Sequence, residues 1–290
     1  MTKSYNQLVV HAGQAHRDDF IATCIALALF PAIAYVFRRD PTSEELEDPD
    51  CLVLDVGGRH EPERGNFDHH QMERNAPPAC ALSLFLEYLD LDKKFMLMPW
   101  YVSTKIMDSK GPFALATHLG CQPDAIFKNL SPIEGAVVTM FEEVDYLLDN
   151  KSTLMRLLQG LGNRFLEHAE ELWSQLEWLT ANAKMVDICG VPAMVIESTN
   201  TKATQQFRDT RCPGVGICIS WDDRGGGWSL YRFNDHPQVD FSRLEGRPAV
   251  VFAHKSGFIA KTAERLPLSD ILTLCELAVF TDEHDPRDRR

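Results

Sequence analysis

Four short stretches of the chain concentrate side chains able to hold a divalent cation. HAGQAHRDD supplies His11, His16, Asp18 and Asp19, and CLVLDV carries Asp55 near its end. GNFDHHQ supplies Asp68, His69 and His70, and KIMDSKGP supplies Asp108. Imidazole nitrogens mixed with carboxylate oxygens suit Mn²⁺ best, with Mg²⁺, Co²⁺ or Zn²⁺ as alternatives. Neighbouring side chains on a strand point to opposite faces. Asp68, His69 and His70 can therefore converge on one spot only if Asp68 opens a loop.

Such groups need elements that bring them together. Leu8–His11 reads as a short strand and Asp18–Phe30 as a helix. In that helix Ile21, Cys24, Ile25, Ala28 and Leu29 form an apolar stripe. Asp18 or Asp19 suits the N-cap, and Pro31 ends the helix. Ile33–Phe37 is a second strand, and Asp40–Asp50 a connection with one helical turn. Cys51–Val56 is a continuous apolar run closed by Gly57 and Gly58, the pattern of a buried parallel strand. Helices follow at Ala81–Leu89, around Trp100–Met107, and at Pro132–Leu148. A βαβαβ start predicts a parallel sheet with helices on both faces. Ligands in such a sheet bind beyond the carboxyl ends of the strands, where His11 and Asp55 lie.

A leucine stripe from Leu154 to Leu179 predicts a long helix over Thr153–Lys184, with Gly160 and Gly162 as points of bending. It serves the core or a dimer contact, so a homodimer is compatible with the pattern. From Met185 the chain changes to β runs (MVDI, PAMVIES, GICIS, WSLYRF, AVVFAH) with helices near Lys202–Asp209 and Leu268–Phe280. The predicted organisation is α/β throughout: a metal-binding domain over 1–150, a helical connector over 151–185, and a smaller α/β domain over 186–290. The tail TDEHDPRDRR is expected to fray.

The chain has 290 residues, 44% hydrophobic and 24% charged, and a net charge of −13. Residues 1–185 carry 16 basic and 27 acidic side chains, and residues 186–290 carry 13 and 15. Coating a DNA duplex needs a basic face, which this balance disfavours. An acidic first part fits a site that cations neutralise. No apolar run approaches the roughly 20 residues of a membrane helix. The N-terminus runs directly into a strand, with no leader apparent. Eight cysteines include no C-x-x-C pair and are read as buried free thiols, so the expected location is the cytoplasm.

The series H-x₄-H-x-D-D, then D-V-G-G, then F-D-H-H-Q, then a later Asp resembles the Myg (melanocyte proliferating gene) family. That family is a branch of the DHH phosphoesterase superfamily, with RecJ-type exonucleases and manganese-dependent pyrophosphatases. VLDVGGRHEPERGNFDHHQ, residues 53–71, carries the resemblance most specifically. VVFAHKSGFIAKT, residues 250–262, is similar to the family's closing His-x-x-Gly-Phe segment.

The resemblance implies two metal ions. His11 and His16 would bind one and Asp18 the other, with Asp55 bridging and His69 and Asp108 completing the second site. His70 would face the substrate phosphate, making Asp55, His70 and Asp108 the catalytic set. Asp68 and Asp19 would support the ligands from behind. His254, Lys255 and Lys261 of the second domain, with Arg17, would meet substrate. The chain departs from the family's H-N-G-x-F-H-C-D-E at Ala12, Gln14, Ala15, Arg17 and Asp19, and Ser109-Lys110 replaces an acidic-polar-Gly run.

The activity this implies is metal-dependent hydrolysis of phosphodiester bonds in nucleotides or short single-stranded nucleic acid, similar to a 3′–5′ RNA exonuclease. A small-molecule phosphatase or pyrophosphatase is the alternative enzyme, and a non-catalytic metal-dependent nucleotide-binding protein the alternative class. DDRGGGW, residues 222–228, lacks the Lys-Ser/Thr of a P-loop and reads as a hairpin turn. His118, His168 and His236 lack partners at ligand spacing, and Arg208 and Arg211 read as solvated charge.

Overall fold

The computed structural model describes residues 4–128, 131–144, 148–149 and 152–280. The tail TDEHDPRDRR lies outside them, and the helix predicted over Pro132–Leu148 ends at Glu142, with Leu148 in a strand. The chain divides into two compact units, Met1–Glu170 and Glu171–Arg290.

The first unit opens with β1 (Gln7–Val10), α1 (Arg17–Leu29), β2 (Tyr35–Arg38), α2 (Ser43–Glu47) and β3 (Cys51–Leu54). A hairpin follows, β4 (His60–Glu61) and β5 (Asn66–Phe67). Five helices come next: α3 (Ala81–Tyr88), α4 (Asp92–Phe95), α5 (Tyr101–Leu119), α6 (Pro123–Lys128) and α7 (Pro132–Glu142). The edge strand β6 (Leu148–Asp149) precedes α8 (Thr153–Asn182), within which the division between units falls.

Six strands lie in the order β4-β5-β3-β1-β2-β6. The central four are parallel, and both edge strands run antiparallel to their neighbours. β3, and β1 from Leu8 to Val10, are buried because both faces are covered. Val9, Cys51 and Val53 pack with Val56, Phe37 and Leu46 of α2. The alternate residues Leu8, Val10, Leu52 and Leu54 point to the opposite face, and α1 lies against β1 and β3. α1 is buried from Asp18 through Leu27, the exposure of a central helix rather than a surface one.

Three further local readings change. The N-cap of α1 is His16, not Asp18 or Asp19. Asp19 is the third helical residue, and its Oδ1 accepts the His16 backbone N–H at 2.8 Å. The helix expected around Trp100–Met107 extends as α5 to Leu119, so Asp108 sits within a helix instead of after one. Its kink is at Gly111 (φ 81°, ψ 177°), a left-handed residue that lets Pro112, lacking an N–H, open the next turns. α8 is continuous through Gly160 and Gly162. Gly162 is set by crowding: a Cβ there would lie 1.9 Å from the Cys24 carbonyl oxygen of α1.

The second unit holds β7 (Lys184–Ile188), β8 (Val191–Ile196), α9 (Thr204–Arg211), β9 (Ile217–Trp221), β10 (Trp228–Arg232), β11 (Val250–Ala253), β12 (Ile259–Thr262) and α10 (Leu268–Ala278). Its sheet runs β11-β12-β10-β9-β8-β7, antiparallel except for the β8–β9 pair. Apolar residues of these strands and of α10 form one core. The β9–β10 connection is the hairpin read from DDRGGGW. β12 escaped the sequence reading because GFIAKT is short and carries a lysine. Arg208 is buried, not solvated, with its guanidinium on Asp209 and over the Phe233 ring at 5.0 Å. Cys24, Cys51, Cys80, Cys218 and Cys275 are buried free thiols, whereas Cys121 and Cys189 are exposed. Among the described residues no helix is long and apolar enough to cross a membrane.

Candidate metal centre

His11 directly follows β1, Asp55 directly follows β3, and the loop after β5 presents Asp68, His69 and His70. Parallel pairing of β1, β3 and β5 sets these strand ends side by side. The first turn of α1 adds Asp18 and Asp19, and α5 adds Asp108. Asp55 holds a left-handed φ of 60°, uncommon for a side-chain-bearing residue and tolerated by aspartate.

Ligand atoms gather within 4.8 Å of one another in three overlapping groups. These are Asp18, Asp55, His69 and Asp108; His11, Asp19 and Asp55; and Asp55, His69 and His70. Asp55 belongs to all three. His69 Nε2 lies 3.2 Å from Asp55 Oδ1 and 2.8 Å from Asp108 Oδ2, and neither approach has hydrogen-bond geometry.

The polar atoms of this cluster lack partners. Eight buried atoms make no hydrogen bond within the described residues: His11 Nδ1, both oxygens of Asp18 and of Asp55, Asp19 Oδ2, His69 Nε2 and Asp108 Oδ2. A buried polar atom left unsatisfied costs about 1–3 kcal/mol, and more when charged. Burial, joined by the Asp55, Asp108 and Asp19 charges, pushes the Asp18 carboxyl well above its ordinary range. Burial and the Asp55 charge push Asp19 up to about 8, against the opposing pull of Arg38 and of backbone N–H groups. His69 moves the other way from what burial favours. Asp108 and Asp55 outweigh its desolvation and raise it to about 10. A donor set of imidazole nitrogens and carboxylate oxygens fits divalent cations, which relieve both repulsion and unmet bonding.

Three residues sit differently from expectation: His70, expected to face substrate, shares a group with Asp55 and His69. Asp19, expected behind the ligands, lies in one of the three groups, and His16, expected as a ligand, lies in none. The His16 ring stacks on His11 at 5.8 Å and has Nδ1 3.7 Å from Asp108 Oδ1. Asp68 stands behind His70: its Oδ1 meets His70 Nδ1 at 2.7 Å and accepts the His70 backbone N–H at 3.0 Å. Its Oδ2 accepts the Gly58 N–H at 2.6 Å. Burial opposes ionisation of Asp68, but these donors win and hold it below the ordinary range. An ionised carboxylate only accepts, so His70 Nδ1 carries the proton and Nε2 is left free of Asp68.

Arg17 is bound to Glu134 through two bonds, 2.5 Å from Nε and 3.0 Å from Nη2. In the second unit, Lys261 Nζ donates to Asp222 Oδ1 at 2.5 Å. His254 Nδ1 accepts the Ser256 N–H at 3.1 Å, and Lys255 is exposed. Arg38 was not singled out from the sequence. Its buried guanidinium donates to the carbonyls of Gly13 (3.0 Å), Phe141 (3.3 Å) and Glu142 (2.9 Å), and lies 3.8 Å from Asp19 Oδ2. The signal available was an arginine ending β2 in parallel register with Val10, next to His11.

Residues 7–78 match the family model MYG1_exonuc, described as an uncharacterised protein family (UPF0160). Over this segment the chain is similar to that family. The family segment takes in His11 through His70 and leaves Asp108 and the whole second unit outside it. No curated protein matches the chain. The crystal structure of RecJ from Thermus thermophilus in complex with Mg²⁺ is similar at 14% identity over 94% of this chain, with a TM-score of 0.31. The chain spans 49% of that RecJ chain.

Proposed function

We propose that the chain is a metal-dependent phosphoesterase cleaving phosphodiester bonds of nucleotides or short single-stranded nucleic acid, in the manner of a 3′–5′ RNA exonuclease. The observation that carries this reading is the set of eight unpartnered buried atoms centred on Asp55. Two Mn²⁺ ions, or another divalent pair, would share Asp55. His11 and Asp19 would complete one site, and Asp18, His69 and Asp108 the other. When bound, such ions supply an acidified water and positive charge against phosphoryl oxygens.

The remaining chemistry falls to side chains of this chain. Asp68 fixes the His70 ring through Nδ1, so Nε2 is left as an acceptor that would take a proton from a water or substrate hydroxyl. His70 is half-exposed at a cavity of about 250 Å³ that Arg74 and Lys110 also line. Those cations suit the charge of a phosphate. Asp108 and His69, 2.8 Å apart, lie at the face of the centre next to that cavity.

The test is Mn²⁺-dependent hydrolysis of bis(p-nitrophenyl) phosphate by the full chain and by Asp55→Asn, since asparagine tolerates the left-handed backbone. Turnover is expected to fall at least about 100-fold with the fold intact by circular dichroism. Equal turnover in the variant removes Asp55 from the mechanism. Comparing a labelled RNA oligomer with pyrophosphate then separates the exonuclease reading from a small-molecule phosphatase, and binding without turnover marks a nucleotide-binding protein.

A further inference from the structure

A second cavity, about 410 Å³, opens on the other flank of the centre and shares His16 and Asp108 with the first. Asp18 lines it on the metal side, and Met107, Leu115, Ile126 and Val138 supply apolar walls from α5, α6 and α7. We propose that this cavity is the nucleoside subsite, holding the base and sugar of a nucleotide whose phosphate lies at the metal centre. The inference rests on the phosphoesterase reading for the position of that phosphate.

Three observations favour a nucleoside here. The volume falls in the range of small-molecule sites and exceeds what a phosphate alone fills. The walls are apolar, which suits the faces of a base, and the Met107 thioether adds a favourable contact to an aromatic ring. Apart from Asp18 and Asp108 on the metal side, the charges on this flank cancel: Arg17 and Glu134 satisfy one another as a two-bond pair, so neither calls for an anion. On the other flank Arg74 and Lys110 stand at the smaller cavity, with Glu73 and Asp108 as its carboxylates. The two flanks thus divide a nucleotide by polarity, with base and sugar towards Val138 and further phosphates towards Lys110.

Gly135 offers a direct test. It lines the cavity, lies in helix α7, and a Cβ added there meets no atom within 4 Å. Gly135→Leu therefore adds bulk at the lining of the subsite without a clash and improves helix propensity, and Val138→Phe adds bulk independently from one turn further along. Calorimetric titration of the full chain in Mn²⁺ compares adenosine monophosphate, hexyl phosphate and inorganic phosphate. The wild type is expected to prefer the nucleotide over both others at least tenfold, and either substitution to bring that ratio towards one. Equal affinity for nucleotide and phosphate, hexyl phosphate binding as well as the nucleotide, or a ratio unmoved by both substitutions overturns the subsite. Hydrolysis of bis(p-nitrophenyl) phosphate by the same preparation reports the catalytic reading separately. Turnover without nucleotide preference sinks the subsite alone, and preference without turnover sinks catalysis alone.

Discussion

Asp18 has both carboxylate oxygens buried and unpartnered beside three other carboxylates. Without a cation its neutral form is favoured, and asparagine has nearly the same shape. Asp18→Asn is therefore expected to leave the melting temperature of the chelated protein unchanged or a few degrees higher, while weakening Mn²⁺ binding more than about tenfold. A lower melting temperature in chelator would show that Asp18 has a structural partner instead. Asp19 sets a pH dependence. Its folded-state value, about 8, lies above its unfolded one. The stability it contributes to the metal-free chain is thus complete below the ordinary carboxylate range and lost as pH rises towards 8. Thermal melts in chelator should fall across that window, and Asp19→Asn should flatten the slope. Protons compete for the same oxygens, so Mn²⁺ affinity is expected to rise over the same interval.

Helix α8 shows how one residue type takes opposite roles on one element. Gly162 touches the α1 backbone at Cys24, where any Cβ collides with a carbonyl oxygen that cannot swing away. Gly160, two residues earlier, faces open space. Gly162→Ala is expected to destabilise by about 3 kcal/mol through forced separation of the helices. Gly160→Ala is expected to stabilise by about 0.5–1 kcal/mol through helix propensity. Urea unfolding of both variants checks the pair, and similar shifts would contradict the packing of α8 on α1. The consequence reaches the site, because α1 carries Asp18 and Asp19 in its first turn.

For the molecule as a whole, the net charge of −13 and the packed carboxylates make divalent cations a term in folding itself. Mn²⁺ at about 100 times its dissociation constant should stabilise the chain by about 2.7 kcal/mol, and chelator should reverse it. Hydrogen exchange locates the effect. Slower exchange is expected over 11–19, 55–70 and around 108, with residues 184–262 unchanged, because the proposed ligands all belong to the first unit. Protection spread evenly over both units would place the cations elsewhere.

The sequence alone determined the α/β class, the order of the main strands and helices, and the strand-end positions of His11 and Asp55. Unbroken apolar runs and glycine or proline stops are local signals, legible residue by residue. The short β4 and β12, the run of α5 past Asp108, and the continuity of α8 were decided by pairing and packing with segments remote in sequence. The same holds inside the site. HAGQAHRDD offers His16 and Asp19 as equal candidates, and only the start of α1 at Arg17 turns Asp19 inwards and leaves His16 half-exposed. Arg38 became visible only once β2 lay beside β1, for a buried guanidinium is defined by the carbonyls around it, here more than a hundred residues away at Phe141 and Glu142. Periodicity reports which face of an element is apolar; which polar atoms meet is settled by the contacts of the folded chain.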